Sequence, residues 1–516
     1  MDSLAIQYAI IYTLAFLVIA KYDIHMFQLS SYRYSRYFRW LVPDNIASIK
    51  RAFALLAFAA AFMPGFYGLG FLAGITAVAW VHAWREKFKT PLVYTMRVKR
   101  LFAADIILFA IIAVVATAVA DEWAPAIIGA VLLLSNMLML LANLVNTPIE
   151  KAINRHYYND AKRIIESNKN LIIIGVTGSF GKTSTKNYLA SVLAEKYNVL
   201  VTPGNFNTLL GVIRTIREHL RPYHQVFIVE MGAKQKNDIK EICDLVRPTI
   251  GIVTAVGEMH LETFKCVENI QDTKFELINS LPANGLGVIN FDSEYIKNYK
   301  GITSQCRIIK YAVEGEGEYK ANDVVYGSGG VSFTLNGCEQ YNSRLLGAGN
   351  LLNILASIAV ADHLDVPVNK QRNAIARLQP VEHRLSMKVS GGITVLDDAY
   401  NSNPQGAKMA LEVLKNFAVG EGNKRIVITP GFVEMGTRQA EANKELGATI
   451  AKSCDYAIVV NATNRDAIKS GIEEGGMPAE KYFLADSLNH AHAQLSQILR
   501  PGDVVLYEND LPDNFK

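Results

Sequence analysis

Gly178-Ser179-Phe180-Gly181-Lys182-Thr183 brings two glycines, a cation and a hydroxyl together at a spacing that suits phosphate. In a glycine-rich turn at the start of a helix the backbone N–H groups converge on one point, which favours a bound anion. Lys182 would sit against the β/γ-phosphates and the Thr183 hydroxyl on magnesium. Further along stand other residues with chemistry: Glu230 closing QVFIVE, His260 in GEMHLE, Lys274 in DTKFE, Arg384 in EHR, and Asp398 in DDAYNSNP. A carboxylate such as Glu230, at the end of a hydrophobic strand, is well placed to hold magnesium. Arg384 carries the planar, permanently charged fork that suits a phosphate.

The elements that must position these groups read as strands alternating with helices, the pattern of a mostly parallel sheet. Leu171 to Ile174 is a short buried strand before the turn, and Ser184 to about Lys196 has helical spacing. Val199 to Thr202 is a strand ending in Pro203-Gly204-Asn205-Phe206-Asn207-Thr208, and Gln225 to Val229 and Ile250 to Val256 are two more. Open α/β sheets keep their ligands at the carboxyl ends of such strands. A final block repeats the alternation with strands at Ile426 to Thr429, Ala457 to Val460 and Val504 to Tyr507.

The general pattern GxxxxGK[ST] needs Gly at position 176, which is Val here. The loop, preceded by Thr177, instead resembles the TGxxGKT variant of the Mur ligases, which make amide bonds in cell-wall precursors. VEMGA around Glu230, GEMHLE around His260 and DDAYNSNP around Asp398 resemble the same family, most strongly the MurF-type branch that adds D-alanyl-D-alanine. The resemblance covers Ile149 to about Val460. It implies a central ATP-binding α/β domain followed by a smaller Rossmann-like domain.

The resemblance also implies roles. Thr177, Gly178, Ser179, Gly181, Lys182, Thr183 and Ser184 would bind ATP, with Asn350, Asn353 and Arg384 completing the nucleotide site. Thr183 and Glu230 would hold one magnesium. His260 and Lys274, the lysine carbamylated, would serve a second. Asp398 would meet the ribose or the incoming amine, and Asn205, Asn207, Tyr400, Asn401 and Asn403 would shape the substrate side. Read without the resemblance, Lys274 could be an ordinary helix-surface lysine and DDAYNSNP a polar turn with an Asn cap.

Departures from the family pattern accumulate toward the end. Gly349 stands where a His is usual, His383 where Gly is common, and Pro430 to Gly436 replaces GDMxELG. A basic KGS is replaced by Glu508-Asn509-Asp510, which should alter how the incoming amine is recognised. The identity of the added group therefore stays open.

Before Thr147 the chain reads as membrane. Hydrophobic residues make up 50% of the 516 and mean hydropathy is positive. Leu4 to Ala20 is a run of spanning length, Ala52 to Ala83 fits two helices joined at Pro64-Gly65, and Leu101 to Ala120 and Ala124 to Val145 are further spans. Basic residues fall in the loops after the first run and before Leu101, so those loops should be cytoplasmic. That gives five spans, the N-terminus outside and the ligase part in the cytosol of a bacterial-type plasma membrane. Asp105, the acidic residue within a span, is expected to snorkel to the cytoplasmic end. FQLSSYRYSRYFRWL, from Phe27 to Leu41, reads either as an amphipathic helix among lipid headgroups or as a site for the phosphates of a lipid-linked substrate.

The resulting division is a membrane part over 1–147, a helical linker over 148–170, a central domain over 171–384 and a C-terminal domain over 385–516. Five scattered cysteines without CxxC spacing read as reduced thiols. A net charge of +4 is too small to imply nucleic acid. Family members carry a soluble N-terminal domain that grips a uridine nucleotide, and here the membrane part takes its place. The expected activity is ATP-dependent activation of an acceptor carboxylate as an acyl phosphate, then attack by a small amine, on a cell-wall or lipid-linked precursor. Two rivals are a transport ATPase and a non-catalytic nucleotide-binding partner in envelope synthesis. Oligomeric state cannot be read from the sequence.

Overall fold

The computed structural model describes residues 3–44, 49–85, 88, 90–204, 206–259, 261–400 and 402–511. Asn205, His260 and Asn401, which the sequence reading places at the site, lie outside the described residues. The chain divides into two compact units, Met1–His156 and Tyr157–Lys516.

The first unit is helical: Ser3–Leu29, Tyr34–Asp44, Ile49–Ala60, Gly65–Arg85, Met96–Val119, Ala124–Leu133 and the first part of Ser135–Ser167. Among the described residues three helical stretches are long and apolar enough to cross a membrane: Ile6–Leu29, Gly65–Arg85 and Met96–Val119. Ala124–Leu133 with the helix that follows makes a fourth if the bent pair counts as one span. Ile49–Ala60, at 12 residues, falls short of the roughly 20 that a span needs. Tyr12, Phe16, Phe109 and Leu132 pack inside this unit, with the Phe16 and Phe109 rings stacked 4.2 Å apart.

Three expectations change here. Asp105 does not snorkel: it is fully buried, and neither carboxylate oxygen has a hydrogen-bond partner. Nor is it the sole acid in a long apolar helix, because the first helix continues past Ala20 and buries Asp23. The run Ala124 to Val145 is broken at Leu134 by a 77° bend. Just after the break the Ser135 hydroxyl donates to Asp23 Oδ2 at 2.7 Å. A buried carboxylate without a donor is costly, so this bond favours a bend that no hydropathy pattern records.

The second unit holds two sheets. Strands β1 (Ile172–Thr177), β2 (Val199–Val201), β3 (Val226–Glu230), β4 (Ile250–Val253), β5 (Leu286–Asn290) and β6 (Arg307–Ala312) are followed by β7 (Tyr319–Gly327), β8 (Gly330–Leu335) and β9 (Glu339–Ser343). They form a nine-stranded sheet in the order β2-β3-β1-β4-β5-β6-β7-β8-β9, parallel from β2 through β7 and antiparallel after it. Strands such as IIIGV and VFIV are continuous β-branched or aromatic runs because helices cover both faces of a parallel sheet. On one face the helices Lys182–Leu193 and Gly347–His363 bury Leu189, Val192, Ile354 and Ile358 against Ile174 and Ile252.

The second sheet comprises β10 (Ser386–Ser390), β11 (Ile393–Asp398), β12 (Arg425–Thr429), β13 (Tyr456–Val460), β14 (Tyr482–Ala485) and β15 (Val504–Glu508). Its order is β10-β11-β15-β12-β13-β14, with only the β10–β11 pair antiparallel. Within each sheet the parallel strands therefore end along one edge. The register fixes which residues meet there: Val176 lies opposite Glu230, and Asp398 opposite Glu508.

Candidate active site

The loop between β1 and the helix Lys182–Leu193 is held open by glycine geometry. Gly178 has φ +151° and Gly181 φ +80°, and a Cβ on Gly178 would lie 2.1 Å from Thr254 Oγ1. Ser179 anchors the turn from inside, its N–H donating to Ala255 O at 2.7 Å and its hydroxyl to Gly257 O at 3.1 Å. Thr177 spends its hydroxyl on Met231 O at 2.9 Å, tying the ends of β1 and β3 together. Thr183 is half-buried and Ser184 buried in the first turn of the helix.

Lys182 folds back over the loop, donating to Gly178 O at 2.7 Å and Ser179 O at 3.0 Å. Those carbonyls hold the ammonium where a phosphate would later draw it. Burial pulls the Lys182 ammonium down to about 8, against the attraction of Glu230 and with repulsion from Arg384. Glu230 is the anion that faces both cations, and a polyphosphate adds further negative charge beside a lysine that burial disfavours as an ammonium.

Glu230, at the end of β3, is 1% exposed. Its Oε1 accepts from Asn207 Nδ2 at 3.0 Å, and its Oε2 lies 3.0 Å from Lys186 Nζ. Lys186 aims its N–H bonds at Thr202 O and Gly204 O, 2.9 and 2.8 Å away, so its tie to Glu230 is charge attraction without an aligned hydrogen bond. Burial alone would raise the Glu230 carboxyl, but Lys186, Lys182 and Asn207 outweigh it and hold the group below its ordinary value.

Among the described residues no group of three or more His, Cys, Asp or Glu side chains converges for a metal. Magnesium nevertheless fits. It takes few protein ligands and relies on water and phosphate oxygens, and Glu230 Oε2 is a charged oxygen that accepts no aligned hydrogen bond. Thr183 and Glu230 would hold the ion, which would supply charge neutralisation on the phosphates.

Lys274 is 4% exposed on the helix Val267–Asn279, not a surface lysine. Burial brings it down to about 7, helped by Lys182 and opposed by Asp238 and Glu276. Asn350 and Asn353 are also buried. Asn350 Oδ1 accepts from Tyr188 and Asn353 Oδ1 from Thr185, each at 2.9 Å. Their side-chain oxygens therefore brace the loop helix.

Arg384 reaches the same place from the second sheet. Its guanidinium lies 4.3 Å from the centre of the Tyr400 ring, a cation–π distance. Its field meets Lys182, Glu230 and Asp398. Asp398 Oδ1 accepts from Leu385 N at 2.9 Å. Burial raises the Asp398 carboxyl although Arg384 opposes, and burial followed by Asp398 raises Glu508 well above the carboxylate range. Asn403 caps the helix Pro404–Asn416, its Oδ1 accepting from Gln405 N and Gly406 N. Tyr400 is exposed.

Lys186, Thr254 and Arg438, which the sequence reading did not single out, shape this site, and so does Glu508, noted there only as an acid in place of a basic KGS. Thr254 donates to Thr177 O and Phe180 O, pinning the loop to the end of β4. Arg438 forms an ion pair with Glu258 across the two sheets' domains. A signal existed for two of them. Lys186 stands four residues after Lys182 on the same helical face, and Glu508 ends a hydrophobic strand as Glu230 does.

Two sheets, a phosphate-cradling loop and acids gathered at strand ends define a nucleotide-using α/β enzyme. Residues 176–361 match the family model of the Mur ligase middle domain, and residues 383–507 match that of the Mur ligase glutamate ligase domain. The UDP-N-acetylmuramoyl-tripeptide–D-alanyl-D-alanine ligase of Mycobacterium tuberculosis is 31% identical over 359 residues, 65% of this chain and 70% of that protein. The Bacillus subtilis ligase of the same name is 27% identical over 345 residues, covering 65% and 72%. The solved structure of the MurF ligase from Thermotoga maritima in complex with ADP superposes with a TM-score of 0.61 at 27% identity, covering 69% of this chain and 80% of that one. The chain belongs to the Mur ligase family, the ATP-dependent, ADP-forming carboxylate–amine ligases.

Proposed function

We propose that this chain is a membrane-anchored ligase of peptidoglycan-like precursor synthesis, working through an acyl phosphate. The observation that carries the reading is the convergence of Lys182, Arg384 and Glu230 at the mouth of the glycine loop. Lys182 and Arg384 bind the polyphosphate and stabilise charge that develops as an acceptor carboxylate attacks the γ-phosphorus. Thr183 and Glu230 would hold magnesium, which would supply Lewis-acid polarisation. The γ-phosphoryl passes to the carboxylate as ADP leaves, and attack of the amine on the acyl carbon then expels phosphate and leaves an amide.

Lys274, buried and with its ammonium weakened, is suited to carbamylation, which needs a neutral amine. A second magnesium would depend on that modification and on His260.

The similar bacterial enzymes are named for a UDP-linked muramoyl tripeptide and D-alanyl-D-alanine. The first unit, with its long apolar helices, supports an acceptor presented at a membrane. We keep the ligase part on the cytoplasmic face; five spans would require Ile49–Ala60, shorter than an ordinary span, to cross as well as the bent pair. Turnover of a lipid-linked muramoyl peptide faster than of the soluble UDP-linked form supports this reading; equal rates would overturn the lipid-linked acceptor.

A further inference from the structure

Glu508 ends β15 directly beside Asp398, which ends β11, so two carboxylates stand in register at the carboxyl edge of the second sheet. Glu508 is 0% exposed. Its Oε1 receives the Ser402 hydroxyl, while Oε2 is buried with no hydrogen-bond partner. The chain around the pair is fixed by Asn509, whose side chain donates to Gly431 O at 2.6 Å and accepts from Ser402 N at 3.2 Å. Asp398 and Ser402 are only partly covered, so the pair is approached from their side, next to Arg384 and the exposed Tyr400.

We propose that Glu508 binds the ammonium group of the incoming amine and makes the enzyme select amines that carry no free carboxylate. The inference rests on the ligase reading above and adds the class of its second substrate.

A buried carboxyl oxygen without a donor is unfavourable, and an ammonium supplies the missing N–H together with the charge that lets Glu508 release the proton burial keeps on it. Once ionised, Glu508 also repels a carboxylate, so discrimination comes from repulsion as much as attraction. Arg384 acts on Asp398, Tyr400 and Glu230, whereas the groups that act on Glu508 are Asp398 and Ser402, neither of them a cation.

The test measures binding of two probes to the full-length protein in detergent with ADP and magnesium. D-alanyl-D-alanine and D-alanyl-D-alaninamide differ only in the terminal carboxylate. The wild type should bind the amide at least ten-fold more tightly than the acid. Glu508→Gln should narrow that ratio to less than three-fold, and Glu508→Lys should reverse it. Equal affinity in the wild type, binding of neither probe, or a ratio unchanged in both variants would overturn the proposal. ADP binding, measured on the same samples, separates the two levels: if it persists while the ratio fails, only the role of Glu508 falls, and if ADP itself does not bind, the ligase reading falls.

Discussion

Lys186 Nζ lies 3.0 Å from Glu230 Oε2, and both side chains are almost completely buried. The pair couples the loop helix to the end of β3 and, through Thr202 and Gly204, to the segment carrying Asn207. Removing one member of such a pair strands a buried charge. Lys186→Met should lower the stability of the ligase unit by about 3–5 kcal/mol. The double variant Lys186→Met, Glu230→Gln should recover most of it. Thermal unfolding monitored with and without ADP checks both, and equal stability of single and double variants would show that the charge is not what matters.

Lys274 provides a pH-dependent prediction. Its ammonium, held at about 7 by burial, is half neutral near that pH, whereas an ordinary lysine is almost fully charged there. Since only the neutral amine takes up carbon dioxide, incorporation of labelled bicarbonate should rise as pH increases through about 7 and vanish in Lys274→Ala. Activity should fall on bicarbonate depletion. Labelling that is flat between pH 6 and pH 8 would contradict the assignment.

Asp398 and Glu508 give the opposite dependence on stability. Both carboxyls are raised by burial, so the folded protein keeps protons that the unfolded chain releases above roughly pH 4. Their contribution is complete below that pH and is lost as pH climbs through the folded-state values. Glu508→Gln should therefore raise the unfolding midpoint at pH 8 and leave it nearly unchanged at pH 4. A gain of the same size at both values would place its origin elsewhere than in ionisation.

Asn403 separates a cap from a substrate contact. Its Oδ1 takes two backbone N–H groups at the start of the helix Pro404–Asn416. Asn403→Ala should cost about 1 kcal/mol of stability, while Asn403→Asp, which keeps the cap, should retain near-normal kcat/KM. Loss of activity in both variants with stability intact would restore a direct substrate role.

The glycine loop and the strand alternation were legible because each is a local pattern: β-branched runs bounded by turns, and glycines where the backbone needs positive φ. Glu230 could be placed because strand ends in a parallel sheet gather ligands, and Asp398 through the resemblance of DDAYNSNP. Lys186 was hidden because a lysine on a helix normally faces water, and only the packing of β2 and β3 shows otherwise. Glu508 needed register: Asp398 and its partner are far apart in sequence, and the hydrogen bonding of β11 with β15 brings them together. In the first unit, hydropathy recorded the apolar runs but neither the break at Leu134 nor the burial of Asp23 and Asp105, which depend on contacts between helices. His260, Asn205 and Asn401 rest on resemblance alone.

The central claim is coupling of ATP cleavage to amide formation, and ADP release measured with each substrate omitted in turn tests it most directly. The full-length protein should release ADP through repeated turnovers only when a muramoyl-peptide acceptor and an amine are both present, one amide per ADP, with at most one acyl-phosphate equivalent formed without amine, and Lys182→Ala should bind the acceptor yet form neither product. Repeated ADP release without amine, or amide formation that survives in Lys182→Ala, would contradict the account.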